Sequence, residues 1–198
     1  PELILNTIIS RCQIVHVKGL SDEEVAAGLA AQQGLSPAEA QRIAFLASGN
    51  YNEALQLAAA QPNDNAGLFI DWMRKCFVGH GGEMAKWVES FAGLGRENQK
   101  YFLRYALHFL RELAALKVSG TSRVRLQEAE LGTAQKMAAQ LELSQVEQLG
   151  KLFSDCAFAV ERNANPKILF LDASIQMHKI MKRKSAEAYV GLPAGVVP

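Results

Sequence analysis

The chain has 198 residues, 49% of them apolar, and its 21 lysines and arginines nearly balance its 20 aspartates and glutamates. This composition is typical of a soluble globular protein with one large core or two smaller ones. The balanced charge excludes a strong overall field for nucleic acid, membrane or an acidic partner, so any such contact has to be local. No apolar run reaches about 18 residues, so we expect no membrane-spanning segment.

The cysteine pattern and the first residue indicate what kind of chain this is. Three cysteines at positions 12, 76 and 156 form no metal-ligand pair, and their odd number argues against a closed disulfide framework. A reducing compartment, hence the cytoplasm, is the expected location. Because the sequence opens on Pro1 and enters an apolar run directly, we expect it to be a fragment of a longer protein.

The first 60 residues predict a short strand followed by three helices. The triplet Ser10-Arg11-Cys12 precedes residues 14–17, which alternate like a strand. Two capping boxes, Ser21 with Glu24 and Ser36 with Glu39, predict helices from 22 to about 33 and from 37 to about 47. A third helix is predicted from 51 to 60, after the break at 49–50.

Beyond the polar residues 61–65, longer helices with most of the aromatic residues are predicted. Gly79-His80-Gly81-Gly82 is interpreted as a loop, since it lacks the Gly-Lys-Ser/Thr ending of a phosphate-binding loop. A third capping box, Ser144 with Glu147, and Pro166 at a first helical turn mark two further helix starts. The predicted helices of this part are 68–78, 84–91, 97–117, 133–141, 144 to about 160, and 166 to about 184.

No catalytic or metal-binding arrangement can be argued from the residues. The four histidines, at positions 16, 80, 108 and 178, are scattered without an acidic partner at a recognisable spacing, and no cluster has metal-ligand spacing. His16, His108 and Cys156 fall on apolar elements, so we interpret them as core residues. We expect no cofactor and no independent enzyme activity in this chain.

Two separated motifs resemble one protein family. The run Thr7-Ile8-Ile9-Ser10-Arg11-Cys12-Gln13 resembles the Ser-Arg-Cys signature of clamp-loader subunits, the AAA+ proteins that place the sliding clamp of a replicative DNA polymerase. In that family a three-helix lid follows the signature. Residues 161–172, which contain Asn163-Ala164-Asn165-Pro166, resemble the closing turn and apolar helix of the bacterial clamp-loader collar. The chain is therefore similar to the C-terminal part of a bacterial DNA polymerase III clamp-loader subunit.

The resemblance implies an all-α fold apart from one strand. Residues 1–18 would hold the last strand of the AAA+ core, 19–62 the three-helix lid, 66–184 the helical collar and 185–198 a tail. Arg11 would be an arginine finger acting in trans, positioned by Ser10 and Cys12, on ATP-Mg held by a neighbouring subunit. A planar, permanently charged guanidinium suits that role because it can bind two phosphate oxygens at once.

The third lid helix indicates which type of subunit is resembled. ATP-binding subunits carry an arginine where this sequence, Gly49-Asn50-Tyr51-Asn52-Glu53-Ala54-Leu55, has Asn52. The chain is thus most like the delta-prime type, which has no working nucleotide site. Its implied partners are the gamma/tau and delta subunits through 66–184, and the sliding clamp and primed DNA through the whole complex, without a membrane.

Two alternative functions stay open at this stage, as does the role of one basic stretch. An ATP-hydrolysing gamma/tau-type subunit would have a phosphate-binding loop upstream of Pro1, and a helical scaffold unrelated to replication would bind no clamp-loader subunit. The basic stretch Lys179 to Lys184 suits nucleic acid or an acidic partner. The interpretation that we favour for it is a set of cations at a helix C-terminus.

Overall fold

The computed structural model of this chain describes residues 7, 10–13, 15, 17–59, 64–120, 124–126 and 128–182. These residues form nine α-helices and no strand, which confirms the all-α class. The chain divides into two compact units, Pro1–Ala59 and Ala60–Pro198. The helices are α1 (Asp22–Gln33), α2 (Pro37–Ala47), α3 (Tyr51–Ala59), α4 (Asn65–Val78), α5 (Gly81–Ala92), α6 (Arg96–Ser119), α7 (Glu128–Gln140), α8 (Leu143–Glu161) and α9 (Pro166–Lys182).

The predicted strand at 14–17 does not appear among the described residues of that segment. Val15 and Val17 carry no regular secondary structure and are 73% and 88% exposed. A strand needs a neighbouring strand for its hydrogen bonds, and the described residues supply none. The other two residues of the prediction, Ile14 and His16, lie outside the described residues.

In the described part of the first unit, the three helices α1, α2 and α3 pack against one another. Both predicted capping boxes are confirmed: at α1, Ser21 Oγ accepts from Glu24 N at 3.2 Å and Glu24 Oε2 accepts from Ser21 N at 2.7 Å. The predicted starts of α1 and α2 are correct because these caps are local. The core is small and rich in alanine: Val25, Leu29, Ala40, Ile43, Ala44, Ala47 and Ala54.

The second unit is built around α6, which packs on α4, α7 and α8, while α9 packs on α4, α5 and α8. Trp72 and Trp87 stack with ring centroids 5.0 Å apart, and Trp72 donates its indole N–H to Ser174 Oγ at 2.8 Å. Most aromatic residues of these longer helices therefore form the core of the second unit. Its largest buried members are Phe69, Trp72, Trp87, Phe91, Phe102, Phe109, Phe153 and Phe170.

The predicted glycine loop at 79–82 is shorter than expected. Only Gly79 and His80 separate α4 from α5, and Gly81 and Gly82 form the first turn of α5, where Met84 N donates to His80 O at 3.1 Å. Packing of the buried residues of α5 outweighs the low helix propensity of two glycines. Gly79 has φ +85°, which ends α4 in the left-handed conformation.

Three further helix starts differ from the prediction: α4 begins at Asn65 instead of 68, where Asp64 Oδ1 caps it by accepting from Gly67 N at 2.8 Å, and α7 and α8 also begin earlier. Helix α7 begins at Glu128 instead of 133, and Glu130 in its first turn accepts from Tyr105 of α6 at 2.7 Å. Helix α8 begins at Leu143, so the predicted box of Ser144 with Glu147 does not cap it. Instead Gln145 Oε1 accepts from Glu142 N at 2.8 Å, and Gln145 Nε2 donates to Ile180 O of α9 at 2.7 Å.

Candidate functional site

The triplet Ser10-Arg11-Cys12 lies in an exposed turn of the first unit. Ser10 Oγ donates to the carbonyl of Thr7 at 3.2 Å, which holds the chain in a turn just before the arginine. The side chains of Ser10, Arg11 and Cys12 are all exposed. Within the part of the chain that the structure describes, Arg11 forms no ion pair. Within the described structure, the guanidinium is thus exposed and bound to no carboxylate.

The chain from Arg11 to Leu20, here called the Arg11 segment, is anchored at Leu20 to the turn between α2 and α3. Leu20 N donates to Gly49 O at 3.0 Å. Gly49 has φ +84°, and a Cβ there would lie 2.6 Å from Leu20 O, so both conformation and space require glycine. The link fixes the chain nine residues after Arg11 to the start of α3.

Helix α3 carries Asn52, at the position where ATP-binding clamp-loader subunits have an arginine, called the sensor arginine, that contacts the bound phosphate. Asn50 Oδ1 caps this helix by accepting from Glu53 N at 3.2 Å, and Asn52 is exposed in the first turn. No hydrogen bond joins Asn52 to Arg11 in the described structure. An amide carries no full positive charge, so Asn52 could not bind a phosphate in the way that an arginine would.

Sequence reasoning missed the contact between α3 and α1. A Cβ at Gly28 in α1 would lie 2.8 Å from the Tyr51 ring, so the ring rests directly on the backbone of α1. The Tyr51 hydroxyl is buried and has no hydrogen-bond partner among the described residues. Gly28 itself was the signal in the sequence, because a glycine inside a helix often marks a place where another group lies close to the backbone.

The Asn163-Ala164-Asn165-Pro166 turn joins α8 to α9 in the second unit. Asn163 has φ +65°, a left-handed conformation that asparagine tolerates, and it accepts from Arg96 of α6. Asn165 Oδ1 accepts from Lys167 N at 3.0 Å and caps α9, while Pro166 occupies the first helical position. Each asparagine of the motif thus has a separate role in the turn.

A buried polar group lies where α6 meets residues 124–126. His108 Nε2 lies 3.0 Å from Arg125 O, and Glu112 Oε2 accepts from Arg125 N at 2.7 Å. Burial lowers the pKa of His108, although its contact with Arg125 and the nearby Glu112 and Glu130 oppose that shift. The arrangement holds the 124–126 segment, which confirms His108 as a core residue.

The buried cysteine of α8 and the basic stretch of α9 were the other residues that the sequence singled out. Cys156 is fully buried, as predicted, and burial raises the pKa of its thiol to about 12. Lys179 and Lys182 are exposed on α9, while Arg183 and Lys184 lie outside the described residues, as does the tail predicted from 185 onward. No group of three metal-ligating side chains occurs in the described parts of the chain.

None of the helices in the described ranges is long and apolar enough to cross a membrane. The comparison with protein families and the search of curated proteins found no match to this chain.

Proposed function

We propose that this chain is the C-terminal part of a bacterial DNA polymerase III clamp-loader subunit of the delta-prime type. It would help to load the sliding clamp on primed DNA. The observation that carries the proposal is the placement of Arg11: exposed, without an ion pair to a described residue, in a turn that leads into a three-helix unit. The order of motifs supports the same assignment.

In this proposal Arg11 serves the ATP site of a neighbouring subunit. Phosphoryl transfer spreads negative charge over the γ-phosphate oxygens, and a guanidinium can bind two of them in the transition state. Ser10 and Cys12 are small, so they leave the arginine room to extend, and the Ser10 contact with Thr7 sets the direction of the chain. The neighbour would hold ATP-Mg, since Asn52 leaves this chain without a sensor arginine.

The two units have different proposed roles. Residues 19–62 would be the AAA+ lid, and the anchor of Leu20 on Gly49 would pass a movement of the Arg11 segment to α3. Residues 66–184 would be the collar, which assembles with gamma/tau and delta subunits. A closely packed aromatic core suits a unit that has to keep its shape while others act around it.

The test uses the full-length protein in a reconstituted clamp loader. We expect Arg11→Ala to leave assembly intact but to lower the DNA-stimulated ATPase rate by about an order of magnitude or more at the site it serves. Arg11→Lys keeps the charge but loses the planar fork, so it should be slow as well. The matched control is Lys18→Ala, an exposed cation of the same segment, which should keep the normal rate.

Size-exclusion chromatography measures assembly of the complex separately from its ATPase rate, so the subunit assignment and the role of Arg11 can be tested independently. An unchanged ATPase rate in an assembled Arg11→Ala complex would remove Arg11 from the mechanism. Failure of the wild-type chain to join gamma/tau and delta subunits would remove the clamp-loader assignment itself.

A further inference from the structure

The outer face of α9 carries an apolar stripe that no described residue covers. Ile168, Leu171 and Ile175 are 63%, 38% and 40% exposed. Their spacing of three and four residues places them on one side of the helix, opposite the residues that α9 buries in the core. Single exposed aliphatic residues are ordinary, but three in one line form a continuous surface.

The same face becomes cationic toward the C-terminus of α9. Lys179 and Lys182 continue the line of the stripe and are exposed, and neither forms an ion pair with a described residue. Lys182 Nζ lies 4.1 Å from the centroid of the Phe77 ring, which holds that ammonium at the end of the surface. The surface therefore has an apolar part and a basic part along one helix.

We propose that this face of α9 binds an amphipathic helix of a partner protein, one with an apolar stripe and acidic residues at one end. From Ile168 to Lys182 the surface measures about 21 Å, the length of a helix of about four turns. Exposed aliphatic ridges pack well against another helix. Carboxylates of the partner would form ion pairs with Lys179 and Lys182. In an antiparallel arrangement these carboxylates lie in the partner's first turns, where the helix dipole also favours them.

The charge pattern disfavours a second copy of this chain as the occupant. Two antiparallel α9 helices would set Lys182 against Ile168 of the other copy, and two parallel ones would bring the lysines together. Binding to a membrane surface would be weak, because each of the two lysines contributes only about 1 kcal/mol of binding free energy near an anionic bilayer. The inference does not rest on the clamp-loader assignment.

The experiment measures the binding of a labelled 15-residue designed helix, with leucines on one face and three glutamates in its first two turns. We expect wild-type protein to bind it and Ile168→Gln with Ile175→Gln to weaken binding by about tenfold or more. Val118→Gln, on an aliphatic residue of α6 that is 73% exposed, is the matched control and should bind normally. Circular dichroism checks that each variant keeps its helices.

A charge exchange gives the sharper result. Lys179→Glu with Lys182→Glu should lose the acidic peptide and gain a peptide whose glutamates are replaced by lysines. Equal binding by all variants, or no effect of either charge change, would overturn the proposal. So would a stripe-dependent dimer in light scattering, or binding confined to vesicles of phosphatidylcholine and phosphatidylserine or to duplex DNA.

Discussion

At the residue scale, the most informative side chain for a solution test is His108, because it is buried and titratable. Its ring contacts the carbonyl of Arg125, and Glu112 binds the amide of the same residue. Desolvation is the largest influence on it and lowers the pKa of His108 below its ordinary 6.5. The neutral ring is therefore the form that the folded second unit favours.

This gives a pH dependence with a definite sign. Since the folded pKa is lowered, the unfolded chain binds more protons below pH 6.5, and the free energy of unfolding should decrease as pH falls from 6.5 toward the folded pKa. The slope attributable to His108 is at most about 1.4 kcal/mol per pH unit. Urea unfolding at several pH values, followed by tryptophan fluorescence, measures it.

The control for this prediction is His108→Gln, whose side-chain amide can still donate to the Arg125 carbonyl but cannot titrate. We expect this variant to have a flatter stability profile between pH 6.5 and 5. An identical slope in wild type and variant would assign the acid sensitivity to other groups, such as the carboxylates that bind neighbouring side chains.

At the scale of the element, helix caps make a paired prediction. Ser21→Ala removes the side chain that accepts from Glu24 N, so it should destabilise the first unit by about 1 kcal/mol. Ser144→Ala is the matched control: this serine has the same sequence signature but lies exposed inside α8, so the change should be close to neutral. Thermal unfolding followed by circular dichroism compares the two, and a Ser144 effect as large as that of Ser21 would contradict the observed start of α8.

The same pair shows how far the sequence predicts the elements. Starts fixed by local caps, such as Ser21 and Ser36, were predicted to the residue. The start of α8 was not: its box of Glu142 with Gln145 is local too, but glutamate is not a preferred N-cap residue and Ser144 offers the more usual signature two positions later. The contact that favours Gln145 in this place is its bond to Ile180, 35 residues away. Helix α7 likewise starts early because Glu130 bonds to Tyr105. Contacts between residues far apart in the chain cannot be recognised from a short stretch of sequence, so helix starts that depend on them are not predicted.

For the candidate site, the sequence predicted the motif but not what surrounds it. Arg11 was named from its neighbours in the chain, while the anchor of Leu20 on Gly49 and the packing of Tyr51 on Gly28 needed coordinates. Whether the guanidinium reaches a phosphate depends on a neighbouring subunit, whose residues this sequence does not contain.

At the scale of the whole molecule, the two compact units have cores of different quality. Among the residues that the structure describes, the first has an alanine-rich core with no fully buried aromatic residue, whereas the second buries two tryptophans and several phenylalanines. Small units bury a lower fraction of their surface and are correspondingly less stable. A less stable first unit suits a segment that has to move with a bound neighbour, as the lid proposal requires.

We therefore expect the two units to unfold separately, the first at the lower urea concentration. Both tryptophans of the chain, Trp72 and Trp87, lie in the second unit, so their fluorescence should report one late transition. Circular dichroism at 222 nm records helices in both units and should show an additional earlier loss. Ser21→Ala should shift only that earlier loss, because the cap belongs to the first unit. Coincident transitions by both probes would instead mean that the units unfold as one cooperative body, and a lid that moves on its own would then have no thermodynamic basis.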